Sequence, residues 1–561
     1  MDQRQARHRI LFLLAIFLLF GLMALFLFKP TAGGAQLEFY YVATNGSDSS
    51  GDGSSAKPWA TITHALDSVP DSSTILVRPG TYTGRVRLRG TFPKGVTVLS
   101  EIPYQARLRN NGTVVTSFYG QGITLEGFDI AHSGPGSGAL VIQIQDLRGA
   151  PGGADRVGRI TLRDNILHDS YNNDILKVNN GVEKILIEGN IFYNQTGSDE
   201  HIDINSVTDV IVQDNIFFND FEGSGRINGN NTSSYIVIKD SNADHDTVIG
   251  SQNITVRRNV FLNWQGSTGH NFVLIGEDGK SYYEGIDILV ENNLLLGNSS
   301  NVMRAPFGVK GGKNVTFRNN TIVGDLPSLA YVMRLNMEGN NPANENIQFF
   351  NNIWSDPTGT MGAENATRGN DFSDTPPGQT ASFDLDNNLF WNGGAALPYD
   401  AGELINYDDD LNRLFENPML PDQVGIQLPR WIAAENRFAD GSLSIRRAFQ
   451  KLVVQYGMPN ALSPVLDVGN AANSPAEDIL GNPRPYGGSP DIGAIELLVA
   501  NALPGDLNLD GAVDEIDVRL CVAVILGLEN DPAIIARSDI NLDRETNALD
   551  LQLIVNAYLG N

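Results

Sequence analysis

A short segment of alternating apolar residues ending in asparagine recurs through the middle of this chain. It reads ITLRDN to Asn165, ILIEGN to Asn190, VIVQDN to Asn215 and ITVRRN to Asn259, then ILVENN to Asn293, VTFRNN to Asn320, IQFFNN to Asn352 and FDLDNN to Asn388. The first two intervals are 25 residues, and later ones lengthen to between 27 and 44. Alternation within each segment gives a strand with one buried face. Some 25 residues hold two or three short strands and their turns, too little to enclose a core alone, so successive coils must stack. Stacking pairs each strand in parallel with its copy one coil on. An Asn at a fixed turn position can then form a ladder, each amide bonding the coils beside it. These asparagines are therefore read as structural and not as sugar contacts. The fold class expected is an all-β parallel solenoid.

Solenoids need terminal caps. Near the start, YYVATNGSD, PWATITHALDSV and TILVRPGTYTG read as strand, helix, strand, with a helix near Ile62 to Val69 over the first coil. Near the end, Ser442 to Tyr456 reads as an amphipathic helix, followed by LDVGN, GNPRP and SPDIGAIEL up to Leu497. With these motifs, residues 38 to about 498 resemble the right-handed parallel β-helix proteins of the pectate-lyase-like superfamily. The opening YYVATNGSD…PWATI…ILVRPGTYTG and the closing DIGAIE are typical of its extracellular bacterial members. The resemblance implies fold strongly and substrate weakly, since the architecture hosts lyases, hydrolases, epimerases and non-enzymatic adhesins.

Beyond residue 505 the pattern changes. Asp506, Asn508, Asp510, Asp514 and Asp517 place oxygen ligands at positions 1, 3, 5, 9 and 12 of an EF-hand-like loop, with the carbonyl of Ala512 at position 7. A second copy starts 33 residues later with Asp539, Asn541, Asp543, Glu545, Asn547 and Asp550. Apolar helical stretches, Val518 to Leu526 and Leu551 to Leu559, follow the loops. The duplication resembles a type I dockerin module, which implies that two Ca2+ ions order it and that its paired helices bind a cohesin. Arg544 stands where the first loop has Gly511, so a weaker second site is expected. The domains expected are an N-terminal segment (1–36), the β-helix with its caps (37–498), a linker (499–505) and a small all-α dockerin-like module (506–561).

Compartment and partners follow from charge. Arg4, Arg7 and Arg9 precede an apolar run from Ile10 to Phe28, which predicts export. The run is read as a single-pass membrane anchor, with cleavage near Gly33-Gly34-Ala35 and secretion as the alternative. The protein is thus expected outside the cell or on its surface. A net charge of −26, from 65 acidic and 39 basic residues, excludes nucleic acid as a partner. The single cysteine, Cys521, is read as a core residue of the module.

A second strand family lies between the Asn segments: VIQIQ from Val141, ILKVN from Ile175, HIDIN from His201, IVIKD from Ile236, VLIGE from Val273, VMRAP from Val302 and VMRLN from Val332. One outward column then reads Gln143, Lys177, Asp203, Val237, Leu274, Arg304, Arg334. Its neighbour reads Gln145, Asn179, Asn205, Lys239, Gly276. Rungs lie about 4.8 Å apart, so Lys177 and Asp203 would touch. The catalytic candidates are Lys177, Asp203, His201 and Lys239. Asn179, Asn205, Arg304 and Arg334 are candidates for substrate binding. In lyases of the resembling superfamily, a Lys or Arg on such a face removes the proton α to a uronate carboxylate that calcium has neutralised. Lys177 is the expected base, and Asp203 with Glu200 or Asp199 would hold a further Ca2+ in the cleft. Asp199, Glu200 and Asp203 would equally serve a glycoside hydrolase, which needs facing carboxylates. A salt-bridge ladder on a non-catalytic glycan-binding or adhesive protein is the third reading.

Overall fold

The computed structural model describes residues 39–147, 156–197, 199–241, 246–267, 269–297, 301, 303–324, 330–362, 371–497, 505–508, 512–529, 532–541 and 546–559. The anchor run Ile10 to Phe28 lies outside them, as does most of the 499–505 linker. Among the described residues no helix is long and apolar enough to cross a membrane.

From residue 39 to residue 391 the chain winds as a parallel β-helix in which each full coil contributes a strand to three faces. One representative coil runs from Leu176–Asn179 through Glu183–Glu188 to Ile191–Tyr193, and the next begins at Ile202–Asn205. The ladders between coils are parallel, and register slips only between Val86–Ser100 and Val115–Glu126 among the described strands. Leu176 pairs with Ile202, Ile185 with Val210, and Ile191 with Ile216. The three faces are called the second, first and third sheets, in that order along the coil. Inward residues such as Val178, Ile187, Phe192, Ile204 and Phe217 are fully buried in one continuous core. Phe192, Phe217 and Phe261 stack with centroids 4.9 Å apart at each step, so the rung spacing also sets the aromatic spacing.

The eight repeat asparagines form the expected ladder, each of them buried. The Oδ1 atom of each accepts both the backbone N–H and the side-chain Nδ2–H of the asparagine one coil before. From Asn165 to Asn388 these distances lie between 2.8 and 3.1 Å. The other amide hydrogen goes to a backbone carbonyl, as from Asn215 Nδ2 to Ile187 O at 2.9 Å. The ladder starts at Phe128 N, which donates to Asn165. It ends on a carboxylate: Asp410 Oδ2 accepts Asn388 N and Nδ2 at 2.9 and 2.8 Å. The residue before every ladder asparagine is left-handed, with φ between 50° and 67°. That conformation is why the sequence there reads Asp, Gly or Asn. Arg258 is the exception, and its guanidinium is held by Asp214 and Glu477 at 3.1 Å each.

The expected N-terminal helix is Ile62–Ser68, with Thr61 as N-cap accepting His64 N and with Ile62, Ala65 and Leu66 buried. The helix expected at Ser442 to Tyr456 is Ile445–Gly457, capped by Ser444. It does not close the end of the solenoid. Its face of Ile445, Phe449, Leu452 and Val453 packs on the outward side of the third sheet, against Ile191, Ile216, Val260 and Leu294. Third-sheet strands such as IFF and VFL are therefore apolar on both sides because both sides are covered.

At the C-terminus, helices Glu515–Ile525, Pro532–Ser538 and Ala548–Leu559 enclose a small core of Leu507, Cys521 and Ile554. Cys521 is buried, and burial first, then Asp550, pushes its thiol up to about 11.

The ladder makes a direct prediction. Asn215→Ala strips the acceptor from two buried donors of Asn190, and should cost about 3 to 5 kcal/mol. The exposed Asn111→Ala should stay within about 0.5 kcal/mol. Urea midpoints read both; equal midpoints would remove the ladder from the stability of the fold.

Candidate active site

The outward face of the second sheet brings the predicted residues together in part. Lys177 pairs in register with Asp203, and Asn179 with Asn205. Asp203 pairs onward with Val237 and Asn205 with Lys239. Each strand is preceded by a turn arriving from the third sheet, and these turns supply more carboxylates. Asp174 stands three residues before Lys177, and Asp199 and Glu200 stand in the same place one coil later. Oxygen atoms of Asp174, Asp199 and Glu200 lie within 4.8 Å of one another. Glu200 N donates to Asp174 Oδ1 at 3.0 Å, which locks one turn on the other.

Two lysines face this carboxylate cage. Lys177 Nζ makes a close ion pair with Asp203 Oδ2 and lies 3.9 Å from Asp174 Oδ2. Lys239 Nζ lies 2.6 Å from Glu277 Oε2, 3.8 Å from Asp203 Oδ2 and 4.0 Å from Asp278 Oδ1. Asp203 is 2% exposed, and its second oxygen, Oδ1, has no hydrogen-bond partner among the described residues.

The electrostatics follow from crowding acids under loops. Burial, then the charge of Asp203, pushes Asp174 up to about 7 against the pull of Lys177. Burial, then Asp174 and Asp203, raises Glu200 well above the carboxylate range. Burial also raises Asp199. Both lysines are held above their ordinary value. Burial opposes this, but Asp203 and Asp174 outweigh it for Lys177, as Asp203 and Glu277 do for Lys239.

Other expected residues sit elsewhere. His201 precedes its strand, so the strand's alternation does not govern it. Its ring turns inward, 4.4 Å from that of Tyr235, with Nε2 3.2 Å from Asn219 Oδ1. Burial holds it down to about 3, so it is a neutral core residue and no acid or base. Asn205 is 2% exposed and closes a pair of hydrogen bonds with Ser241, at 2.7 and 2.9 Å. Asn179 is 7% exposed, and its Oδ1 has no hydrogen-bond partner among the described residues. Arg304 is not in the column. The strand there is Phe307–Lys310, and Gly308 takes the place between Leu274 and Arg334. Pro306 cannot donate to a ladder, so the strand begins after it. Arg304 and Arg334 both clamp Asp374 Oδ2, at 3.2 and 3.0 Å. Arg334 is four rungs from Asp203, roughly 19 Å away at sheet spacing. Asp174 was visible in sequence only as a neighbour of Lys177; it stacks on Glu200, 26 residues on, by the same step that pairs Lys177 with Asp203.

A divalent cation fits the cage on chemistry: hard carboxylate oxygens converge, one buried oxygen lacks a partner, and a resident ammonium supplies the missing charge. The dockerin loops fit one too. Asp517 Oδ1 and Oδ2 accept Asn508 N at 3.3 Å and Asp514 N at 2.8 Å. Asp550 accepts Asn541 N and Asn547 N, both at 2.9 Å, so the loops are closed alike. Asp510, Asp543, Glu545 and Arg544 lie outside the described residues. Ala512, Asp506 and Asp539 belong to the same two loops.

Residues 504–559 match the family model of the dockerin type I domain, and residues 44–102 match that of a protein of unknown function (DUF1565). The C-terminal module is a dockerin type I domain, and residues 39–391 wind as a parallel β-helix. None of the curated proteins matches this chain by sequence. Among solved structures, pectate lyase Pel9A is 14% identical, with 83% of this chain and 97% of that chain covered and a TM-score of 0.44. The complex of XylC with xylose is 13% identical, covering 82% and 98%, with a TM-score of 0.43. The GH136 lacto-N-biosidase from Eubacterium ramulus is 10% identical, covering 67% and 66%, with a TM-score of 0.41. The fold stands on the strand pairing itself, and likeness of this degree says nothing of substrate.

Two predictions follow from the carboxylates. A buried carboxyl raised above its unfolded value stabilises the fold while protonated and loses that stability as pH rises through the folded value. The melting temperature without calcium should therefore fall from pH 6 to pH 8, through the value of about 7 at Asp174. Added calcium should flatten that fall, because it needs the ionised cage; a profile unchanged by calcium counts against a cation there. In the dockerin, chelation should erase much of the helical circular dichroism of the module. Asp506→Ala and Asp517→Ala should harm it more than Asp539→Ala, and identical spectra with and without chelator would refute calcium-dependent order.

Proposed function

We propose that this chain degrades an acidic polysaccharide outside the cell by calcium-assisted β-elimination on the second sheet, while its dockerin attaches it to a cohesin-bearing partner. The observation that carries the reading is the cage of Asp174, Asp199 and Glu200, with Asp203 beside it and two lysines against Asp203. Calcium held by these four carboxylates would neutralise a uronate carboxylate and acidify the adjacent C–H. A lysine then takes that proton, the carbon–carbon double bond forms, and the glycosidic C–O bond at the β carbon breaks. The leaving oxygen gains a proton from water, giving one unsaturated end and one new hydroxyl.

The two lysines differ in position. Lys177 stands inside the cage, touching the oxygens that a cation would engage, and serves as their counter-charge. Lys239 approaches from the next rung, beside Asp203 and outside the cage. A base has to reach the carbon next to a carboxylate held at the cage, so it must stand beside the cage. That favours Lys239 as base over Lys177, which the sequence ranked first. Glu277 and Asp203 keep Lys239 protonated at rest, so the rate should climb with pH on the alkaline side.

One feature favours hydrolysis as the second reading: burial, then Asp174 and Asp203, raises the Glu200 carboxyl well above its ordinary value, the direction a general acid needs.

A polyuronate panel with calcium, followed by ultraviolet absorbance of unsaturated ends and by reducing ends, separates these. Lys239→Ala should lower turnover by about a thousandfold or more. Lys177→Ala should keep turnover at saturating calcium. The reverse outcome makes Lys177 the base. Reducing ends without unsaturation make the chain a hydrolase, and neither product, with binding retained, makes it a glycan-binding protein.

A further inference from the structure

The cage is delivered by two turns, residues 169–174 and 194–200, each leading from the third sheet to the second. Turns on a solenoid surface are its least restrained parts, yet cation ligands must be held to within about 0.5 Å. The turns meet directly through Asn194 Nδ2 to Asp169 Oδ1 and Thr196 Oγ1 to Ser170 O, both at 3.1 Å, and through Glu200 N to Asp174 Oδ1, and one side chain from a third segment spans both. Arg226 comes from the insertion between Phe218 and Ile236, and it is only 9% exposed. Its Nη1 donates to Asp169 Oδ1 at 2.7 Å and to Asn194 O at 2.8 Å. Its Nη2 donates to Ser170 O at 3.0 Å and to Thr196 Oγ1 at 3.2 Å. The guanidinium carbon lies 4.0 Å from the Tyr171 ring centroid and 5.3 Å from that of Phe221.

These contacts fall on the turn that carries Asp174, on the turn that carries Asp199 and Glu200, or on Phe221 of the insertion. The insertion is itself fastened to the second turn: Asn194 Oδ1 accepts Asp220 N at 2.7 Å, and Asn194 Nδ2 donates to Ser224 Oγ at 2.7 Å. A planar fork of five N–H donors meets four acceptors on these two turns and stacks on Tyr171; an ammonium has three donors and no plane to stack.

We infer that Arg226 is a positioning residue of the candidate active site, setting the separation of the two turns and so the geometry of the Asp174, Asp199 and Glu200 oxygens. The inference rests on reading those carboxylates as a calcium cage.

Calcium titration calorimetry on the full chain tests both and tells them apart. The cage's share of binding is the part lost in the double variant Asp199→Asn with Glu200→Gln. Arg226→Met should weaken that share about 10-fold or more, and Arg226→Lys by less. The dockerin share should not move in either. In the polyuronate assay the calcium concentration for half-maximal rate should rise by the same factor, with the rate at saturating calcium within about twofold. Folded Arg226 variants that bind calcium as the parent does, with only a lowered melting temperature, would overturn the inference while leaving the cage intact. Should Arg226→Met not fold, Arg226→Lys alone decides it by the same criterion. No loss of binding in the double variant would overturn the cage, and the inference with it.

Discussion

A buried amide hydrogen bond from one coil to the next sets the register on which the rest of this molecule depends. Hydrophobic alternation rejects a slip of one residue but discriminates less against a slip of two, because Ile, Val and Leu fill most inward positions. The asparagine at the corner does choose. Either slip would leave its carbonyl without donors and strand two N–H groups in an apolar interior, at about 1 to 3 kcal/mol for each buried group. Repeated through eight coils, that penalty makes the in-register stack the only low-energy arrangement.

Register fixed at one corner is register fixed on every face. The second sheet lies diagonally across the coil from the asparagines, yet Lys177 meets Asp203, and Asn205 meets Lys239, because the coils between cannot slide. The chemistry then depends on the turns. Where coils stay near 25 residues, the turns stack and bring Asp174 beside Glu200. Where a coil grows, the added chain folds back as a brace, as Arg226 shows.

Much of this was legible in the sequence because period and parity are translationally repeated. The ladder and the Lys177–Asp203 contact need only a count along the chain. The departures have local causes. Pro306 interrupts one strand and displaces Arg304, a signal that was present and outweighed by the similarity of VMRAP to VMRLN. His201 precedes its strand, so strand alternation does not govern it, and its ring turns to the core. The helix Ile445–Gly457 lies along the flank and not at the end. The doubly apolar third-sheet strands marked that flank as covered, but an apolar strand does not name what covers it. Asp174 joins the cage through a turn, and turns carry no periodicity from which a contact can be counted.

The end of the ladder bears on assembly. Each asparagine both offers and accepts, so a row of them has a direction and, left open, an unmet donor pair at its last step. A stack of identical parallel coils finished in that way is a template for another molecule to continue. Asp410 finishes it differently. A carboxylate takes both donors of Asn388 and has no hydrogen of its own to hand on; it is itself buried, and its other oxygen accepts Asn412 N at 3.0 Å. The position that completes the row thus also closes it from within, and an amide there, Asp410→Asn, would bring a donor to a place built to accept.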